Sequence, residues 1–220
     1  MQQMEDKLNC EVVDLGLTDY YSAYTIQKQC WQDVVDGKGQ KIILCEHPTV
    51  ITFGRMADES NMLIADEDIC DQNIEVAHID RGGDITLHSP GQLIVYPILD
   101  LKFYGKDIKR YLVQLEQVTI DLLKTFDILA DRSRGNTGVW VGQEKIASLG
   151  IGVKKWVAYH GVGLNVNTDL KKFEMIRPCG LNVRMTSMAT LKGKTFDMAE
   201  VKTRLLDCFG SLFNFDLRKC

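Results

Sequence analysis

GVWVGQEKIASLGIGVKKWVAYHGVGLNVN, residues 138 to 167, decides the fold class. It holds three β-rich segments, 138 to 142, 144 to 153 and 157 to 167, and the connections between them are too short for a helix. Neighbouring strands must therefore turn back on one another as a meander, which is antiparallel pairing. A chain built on parallel strands would need long helical crossovers at these points instead.

Just upstream, Ile108, Tyr111, Leu112, Leu115, Val118, Leu122 and Leu123 recur at helical spacing, and predict a helix from Asp107 to Phe126. Before it, QLIVYPILDL (92 to 101) is apolar on both faces and suits a central strand, although Pro97 has no N–H and demands a bulge or an edge. Lys41 to Cys45, 49 to 54 and 75 to 80 read as further strands, with an acidic loop from Ala57 to Asp71. Thr18 caps a helix that runs to Gly37 with Tyr20, Tyr24, Trp31 and Val35 broadly on one face. Downstream, Met198, Val201, Leu205, Cys208 and Leu212 mark a helix from Phe196 to Phe213. Helices at the start, middle and end flank blocks of adjacent strands. The expected fold is α+β: a single domain spanning 1–220, with a mixed, largely antiparallel sheet flanked by helices.

With 26 basic against 30 acidic residues, the formal net charge of −4 argues against a nucleic-acid binder. No stretch approaches the ~20 apolar residues of a membrane span, and the N-terminus carries no basic region followed by an apolar run, so the expected compartment is the cytoplasm. Seven cysteines at wide intervals, with no CxxC pair, point to reduced thiols rather than a disulfide framework or a zinc site. Cys45 and Cys208 lie in apolar runs and read as small buried hydrophobes; Cys179, in PCGL (178 to 181), does not.

Three segments could carry chemistry. In RGGDITLHSPGQL (81 to 93) the paired glycines allow backbone N–H groups to approach a ligand, and Arg81 could hold a carbonyl or phosphate; the same residues could simply form two tight turns. In EKIASLGIGV (144 to 153), Lys145 should face away from a core that takes Ile146, and most lysines so placed are solvated. A lysine desolvated in a pocket has its pKa depressed and can act as a base. In PCGL, the Cys179 thiol is a nucleophile only as thiolate, which calls for a nearby cation or base.

Together, HPTVITFGR (47 to 55), RGGDITLHSPGQLIVYPILDL (81 to 101), GVWVGQEKIASLGIGV (138 to 153), HGVGLNVNTDL (160 to 170) and PCGL resemble, in order, the lipoyl(octanoyl) transferase family. The resemblance implies the fold of the lipoate ligase and biotin protein ligase catalytic domains. It also implies transfer of an octanoyl group from the phosphopantetheine thioester of acyl carrier protein to a lysine of a lipoyl domain, on a 2-oxoacid dehydrogenase E2 subunit or a glycine cleavage H protein. By this likeness Cys179 is the acyl-thioester nucleophile and Lys145 its general base and acid, with neither ATP nor metal. The substrate-contacting segments fall on Arg81, Gly82, Gly83, Asp84, Ile85, Thr86, Leu87 and His88, on Ser148, Leu149 and Gly150, and on Gly161, Val162 and Gly163. The glycines would leave room for an acyl chain or a close backbone, with main-chain N–H groups as an oxyanion site. His88 would either orient a substrate polar group or serve the structure.

Where many family members read TYHGPGQ, this chain has TLHSPGQ. Leu87 is expected to alter the pocket lining and Ser89 to lose the backbone freedom of glycine. Basic clusters, Lys102, Lys106, Lys109 and Arg110, and separately Lys154 with Lys155 or Lys171, Lys172 and Arg177, could receive acidic carrier proteins or form a solvated face. Three alternatives stay open: an ATP-dependent lipoate or biotin ligase, which would have no use for Cys179; a silent member that only binds its partner; and a cysteine hydrolase using His160 or His88 as base.

Overall fold

The computed structural model describes residues 7–71, 74–178 and 183–219. In chain order the elements are β1 (Leu8–Leu17), α1 (Tyr20–Val35), β2 (Gln40–Glu46), β3 (Val50–Phe53), α2 (Asp66–Asp71), β4 (Glu75–His78), β5 (Ile85–His88), β6 (Gln92–Ile98) and α3 (Ile108–Lys124). There follow β7 (Asp131–Ser133), β8 (Asn136–Val141), β9 (Glu144–Lys154), β10 (Val157–Asn165), α4 (Met188–Lys192), α5 (Met198–Phe213) and β11 (Phe215–Lys219). Eight strands form one sheet in the order β11-β1-β2-β6-β10-β9-β8-β7, and β4-β3-β5 form a second. In the large sheet β11, β1 and β2 run parallel and every other pairing is antiparallel, so the fold is the expected mixed, largely antiparallel α+β arrangement.

Helices cover both faces of the large sheet. Tyr111, Leu115 and Val118 of α3 and Val201, Leu205 and Phe209 of α5 close the main core over one face, while Cys30 and Val34 of α1 pack with Ile43, Ile94 and Tyr96 over the other. Each long helix starts on an aspartate, Asp19, Asp107 or Asp197, whose carboxylate accepts an otherwise unpaired backbone N–H. The same device opens the three 3-10 turns at Glu59–Asn61, Leu101–Tyr104 and Leu170–Met175, on Asp58, Asp100 and Asp169.

Several boundaries differ from expectation. The cap of α1 is Asp19 rather than Thr18, and its buried face is Tyr20, Ala23, Gln27, Cys30 and Val34, rotated from the aromatic stripe. Gln27 belongs there because its Oε1 accepts the backbone N–H of His160. The acidic stretch from 57 to 71 contains α2, and the residues before Thr18 form β1. Pro97 sits inside β6, a central strand, yet costs no ladder bond. The pairing of β6 with β10 runs only from Gln92 to Val95, and beside Pro97 the β10 backbone turns left-handed at His160, φ 57°. The irregularity that proline requires is carried by the neighbouring strand.

Candidate active site

Lys145 is only 3% exposed, which overturns the solvated expectation. The register of β8 and β9 slips by one residue, with Val139 opposite Ala147 but Trp140 opposite Lys145, so Ile146 is the extra residue of a bulge. Ile146 and Ala147 both enter the main core, and Lys145 is left on the other face. Its Nζ lies 5.6 Å from the centre of the Trp140 ring. The aliphatic stem passes over Gly138, whose φ is 138°; a Cβ there would collide with Lys145 Cε and with the carbonyl of Ala147. The peptide of Lys145 is equally committed, because its N–H donates to Arg184 O at 2.8 Å and its carbonyl accepts from Thr186 N at 2.9 Å.

Those bonds fasten the chain that follows PCGL to the lysine. Cys179 itself lies outside the described residues, as do 180 to 182. On its near side, Arg177 N donates to Asn61 O at 2.7 Å, and Asn61 Nδ2 in turn donates to Asp84 Oδ2 at 2.7 Å. The segments entering and leaving the 179–182 stretch are thus tied respectively to the turn at Asp84 and to Lys145.

A buried polar chain runs from the same place. His88 Nδ1 donates to Gln92 Oε1 (2.6 Å), Gln92 Nε2 donates to Asn165 Oδ1 (2.8 Å), and Asn165 Nδ2 donates to Thr186 O (3.0 Å). Gln92, Asn165 and Thr186 are at most 2% exposed, so each of these bonds replaces water that cannot enter.

Beside His88 lies a narrow cavity of about 50 Å³. Its walls include Arg81, Gly83, Asp84, Ile85, Thr86 and His88, then Ser148, Leu149 and Gly150 of β9, and Gly161, Val162 and Gly163 of β10, closed by Tyr20, Ile94, Tyr96 and His160. Two of the expected residues take other places. Gly82 donates its N–H to Ile151 O at 2.8 Å, docking the turn on β9, and Leu87 is fully buried in the apolar cluster of the small sheet instead of lining the pocket. Ser89 does not have a positive φ, so the position makes no demand for glycine; its hydroxyl is buried without a partner.

The individual roles follow from contacts. Arg81 Nη2 donates to Thr52 O at 2.7 Å and to Thr52 Oγ1 at 2.9 Å, so its guanidinium holds protein carbonyls and secures the turn to β3. Gly150, a wall residue, lacks a side chain because a Cβ would press on Gly82 O and Arg81 Cδ, so its type answers to a close backbone. Asp84 accepts the backbone N–H groups of Asp58 and Ile85. Among the described residues no three His, Cys, Asp or Glu side chains converge as a metal site would require. No described helix is long and apolar enough to cross a membrane. Burial pushes the thiols of Cys10 and Cys45 up to about 12 and that of Cys208 to about 11, which leaves them as packing groups.

Burial, aided by the nearby His47, pushes His88 down to about 3, and burial likewise lowers His47 and His160. These histidines stay neutral in the folded protein while the unfolded chain takes up protons below its ordinary value of about 6.5. For His88 the contribution is therefore present above pH 6.5 and lost as pH falls toward 3, at ~1.4 kcal/mol per pH unit. The expected result is a Tm about 4–8 °C lower at pH 5 than at pH 7 from His88 alone, with a flatter profile for His88→Gln. Calorimetry at the two pH values checks it. An unchanged Tm would mean that His88 takes a proton without unfolding.

Sequence reasoning did not anticipate the group around Asp80. Its carboxylate accepts from His160 Nε2 at 2.9 Å, Tyr159 OH at 2.7 Å and Tyr24 OH at 3.1 Å, and those bonds, His160 first, hold it well below the usual carboxylate range. Only the isolated histidine in HGVGLNVN hinted at it.

The same fold, a mixed sheet with helices on both faces, is found in solved lipoate and biotin protein ligases. A putative lipoate protein ligase from T. acidophilum, solved with lipoic acid, superposes with a TM-score of 0.73 over 96% of this chain and 89% of its own, at 15% identity. The biotin protein ligase of Aquifex aeolicus gives 0.53 over 93% and 69%, at 16% identity. The sequence is more specific: residues 19–210 match the lipoyl protein ligase A/B catalytic domain, and the chain belongs to that family. Among its relatives are the octanoyltransferases of Geotalea uraniireducens (strain Rf4), 44% identical over 88% of both chains, and of Caldicellulosiruptor bescii, 44% identical over 92% of this chain and 91% of that one.

Proposed function

We propose that this protein is an octanoyltransferase, and that residues 1–220 form one acyltransferase catalytic domain. The observation that carries the reading is the 44% identity, along nearly the whole chain, to proteins of that name. The burial of Lys145 against the segment that leaves PCGL supports the assignment of roles.

The octanoyl group arrives as a thioester on the phosphopantetheine of acyl carrier protein. Lys145 takes the proton of the Cys179 thiol, and the thiolate attacks the thioester carbonyl. The carrier's C–S bond breaks, its sulfur leaves with the proton returned by Lys145, and an acyl-enzyme thioester remains. An acceptor lysine on a lipoyl domain then attacks the same carbonyl, an amide forms, and the proton given up by the amine passes through Lys145 to the departing Cys179. A thioester is exchanged for a thioester and then for a more stable amide, so the sequence balances without ATP or metal. The tail of the acyl group points into the cavity beside His88, which must widen from its present volume of about 50 Å³ to take it. Such chemistry suits a cytoplasmic enzyme that meets both protein substrates in solution.

Incubation with octanoyl-acyl carrier protein without ATP, followed by intact mass measurement, tests the reading. One octanoyl adduct, released by hydroxylamine and absent from Cys179→Ser, is expected. Absence of an adduct, with ATP-dependent loading of free octanoate onto a lipoyl domain, would replace the transferase by a ligase.

A further inference from the structure

His160 stands between two spaces. On one side it lines the cavity of about 50 Å³ beside His88, and on the other its imidazole meets Asp80, Tyr24 and Tyr159, which line an outer groove of about 370 Å³. The ring is 2% exposed, stacks on Tyr24 at 5.6 Å with an interplanar angle of 6°, and packs against Tyr159 at 4.9 Å. Asp80, 43% exposed by its side chain, shows that the groove beyond is wet. At this end a single layer of side chains therefore separates the cavity from the wet groove.

The position of that layer can be measured along the sheet. Ser148 pairs with Gly163 and is three residues past Lys145, while Ile151 pairs with His160. From Ser148 to Ile151 the strand advances about 10 Å. That is about the length of an extended octanoyl tail whose carbonyl lies beside Ser148, on the Lys145 side of the cavity.

We propose that His160, locked by Asp80 and backed by Tyr24, is the end-stop that sets the acyl-chain length this protein accepts. The inference rests on the octanoyl-transfer reading and adds to it the residue that rejects longer chains. His160 occupies a left-handed backbone position, φ 57°, where an ordinary side chain carries strain and glycine does not. Its backbone N–H is held by Gln27 whatever the side chain. The imidazole is thus kept in a costly place, and the wall it builds is the structural return.

His160→Gly suits the backbone and joins the cavity to the groove. Rates of loading from octanoyl-, decanoyl- and dodecanoyl-acyl carrier protein should be compared for the unaltered protein, His160→Gly and Tyr24→Ala. The expected result is a rise of about tenfold or more in the decanoyl-to-octanoyl ratio of kcat/KM for His160→Gly, since each added methylene now finds room. Tyr24→Ala, which removes only the outer backing, should shift the ratio in the same direction by less. If the unaltered protein loads octanoyl and both variants keep its chain-length profile, the end-stop is elsewhere and the inference is overturned. If the unaltered protein loads no acyl chain at all, the transfer reading itself fails, an outcome distinct from the previous one.

Discussion

Lys145→Met should fold like the parent protein and lose about 10²–10⁴-fold in the rate of acyl-enzyme formation. Methionine keeps an unbranched stem to lie over Gly138 and beside Trp140, and the two backbone bonds to Arg184 and Thr186 do not involve the side chain. What disappears is the amine proposed to exchange a proton with Cys179. The remaining activity should then climb with pH toward the ordinary thiol value of about 8.5, because only bulk solvent is left to deprotonate the cysteine. Single-turnover loading followed across pH 6 to 9 reads both effects. A rate close to that of the parent would make Lys145 a packing residue and move the search for the base to His88.

The second large effect is expected at Asn165, which does not line the cavity. Asn165→Leu has a similar shape but leaves Gln92 Nε2 and Thr186 O buried with one partner fewer. At ~1–3 kcal/mol for each orphaned group, the loss is about 2–6 kcal/mol, a fall in Tm on the order of 10 °C. Loading should drop further than the folded fraction does, since Thr186 anchors the chain that leaves PCGL to the peptide of Lys145. Gln92→Leu combined with Asn165→Leu should cost less than the sum of the two, because the second change removes a group the first had stranded. Strict additivity would show that the polar chain is not one unit.

The sequence made the long helices and the meander legible, because Tyr111 to Leu123 and 138 to 167 carry strong periodic signals and short connections. β1 escaped notice because only Cys10 and Val12 among its central residues are buried, and β5 because four consecutive buried residues between two turns have no period to read. The residue types of the cavity wall were legible in RGGDITLH, SLG and GVG, but their uses were not. Arg81 and Gly150 serve the docking of one turn on another strand, and nothing local reveals that. Lys145 illustrates the same limit: its burial is imposed by a bulge at Ile146 and by a segment some forty residues downstream. Asp80 and His160 are separated by as many residues as make a small domain, and only the fold makes them a pair.

The aspartates that open the helices alter what the acidic balance of this chain means to its surroundings. Three of them open long helices, whose exposed N–H groups present roughly half a positive charge, and three open short 3-10 turns. Each such carboxylate is answered within a few ångströms, so the negative charge it adds serves to hold a backbone rather than to shape the nearby surface. The dipoles that answer them carry no net charge, and at a distance the formal −4 remains. An acidic protein approaching through solvent is therefore drawn only by local basic clusters on this surface.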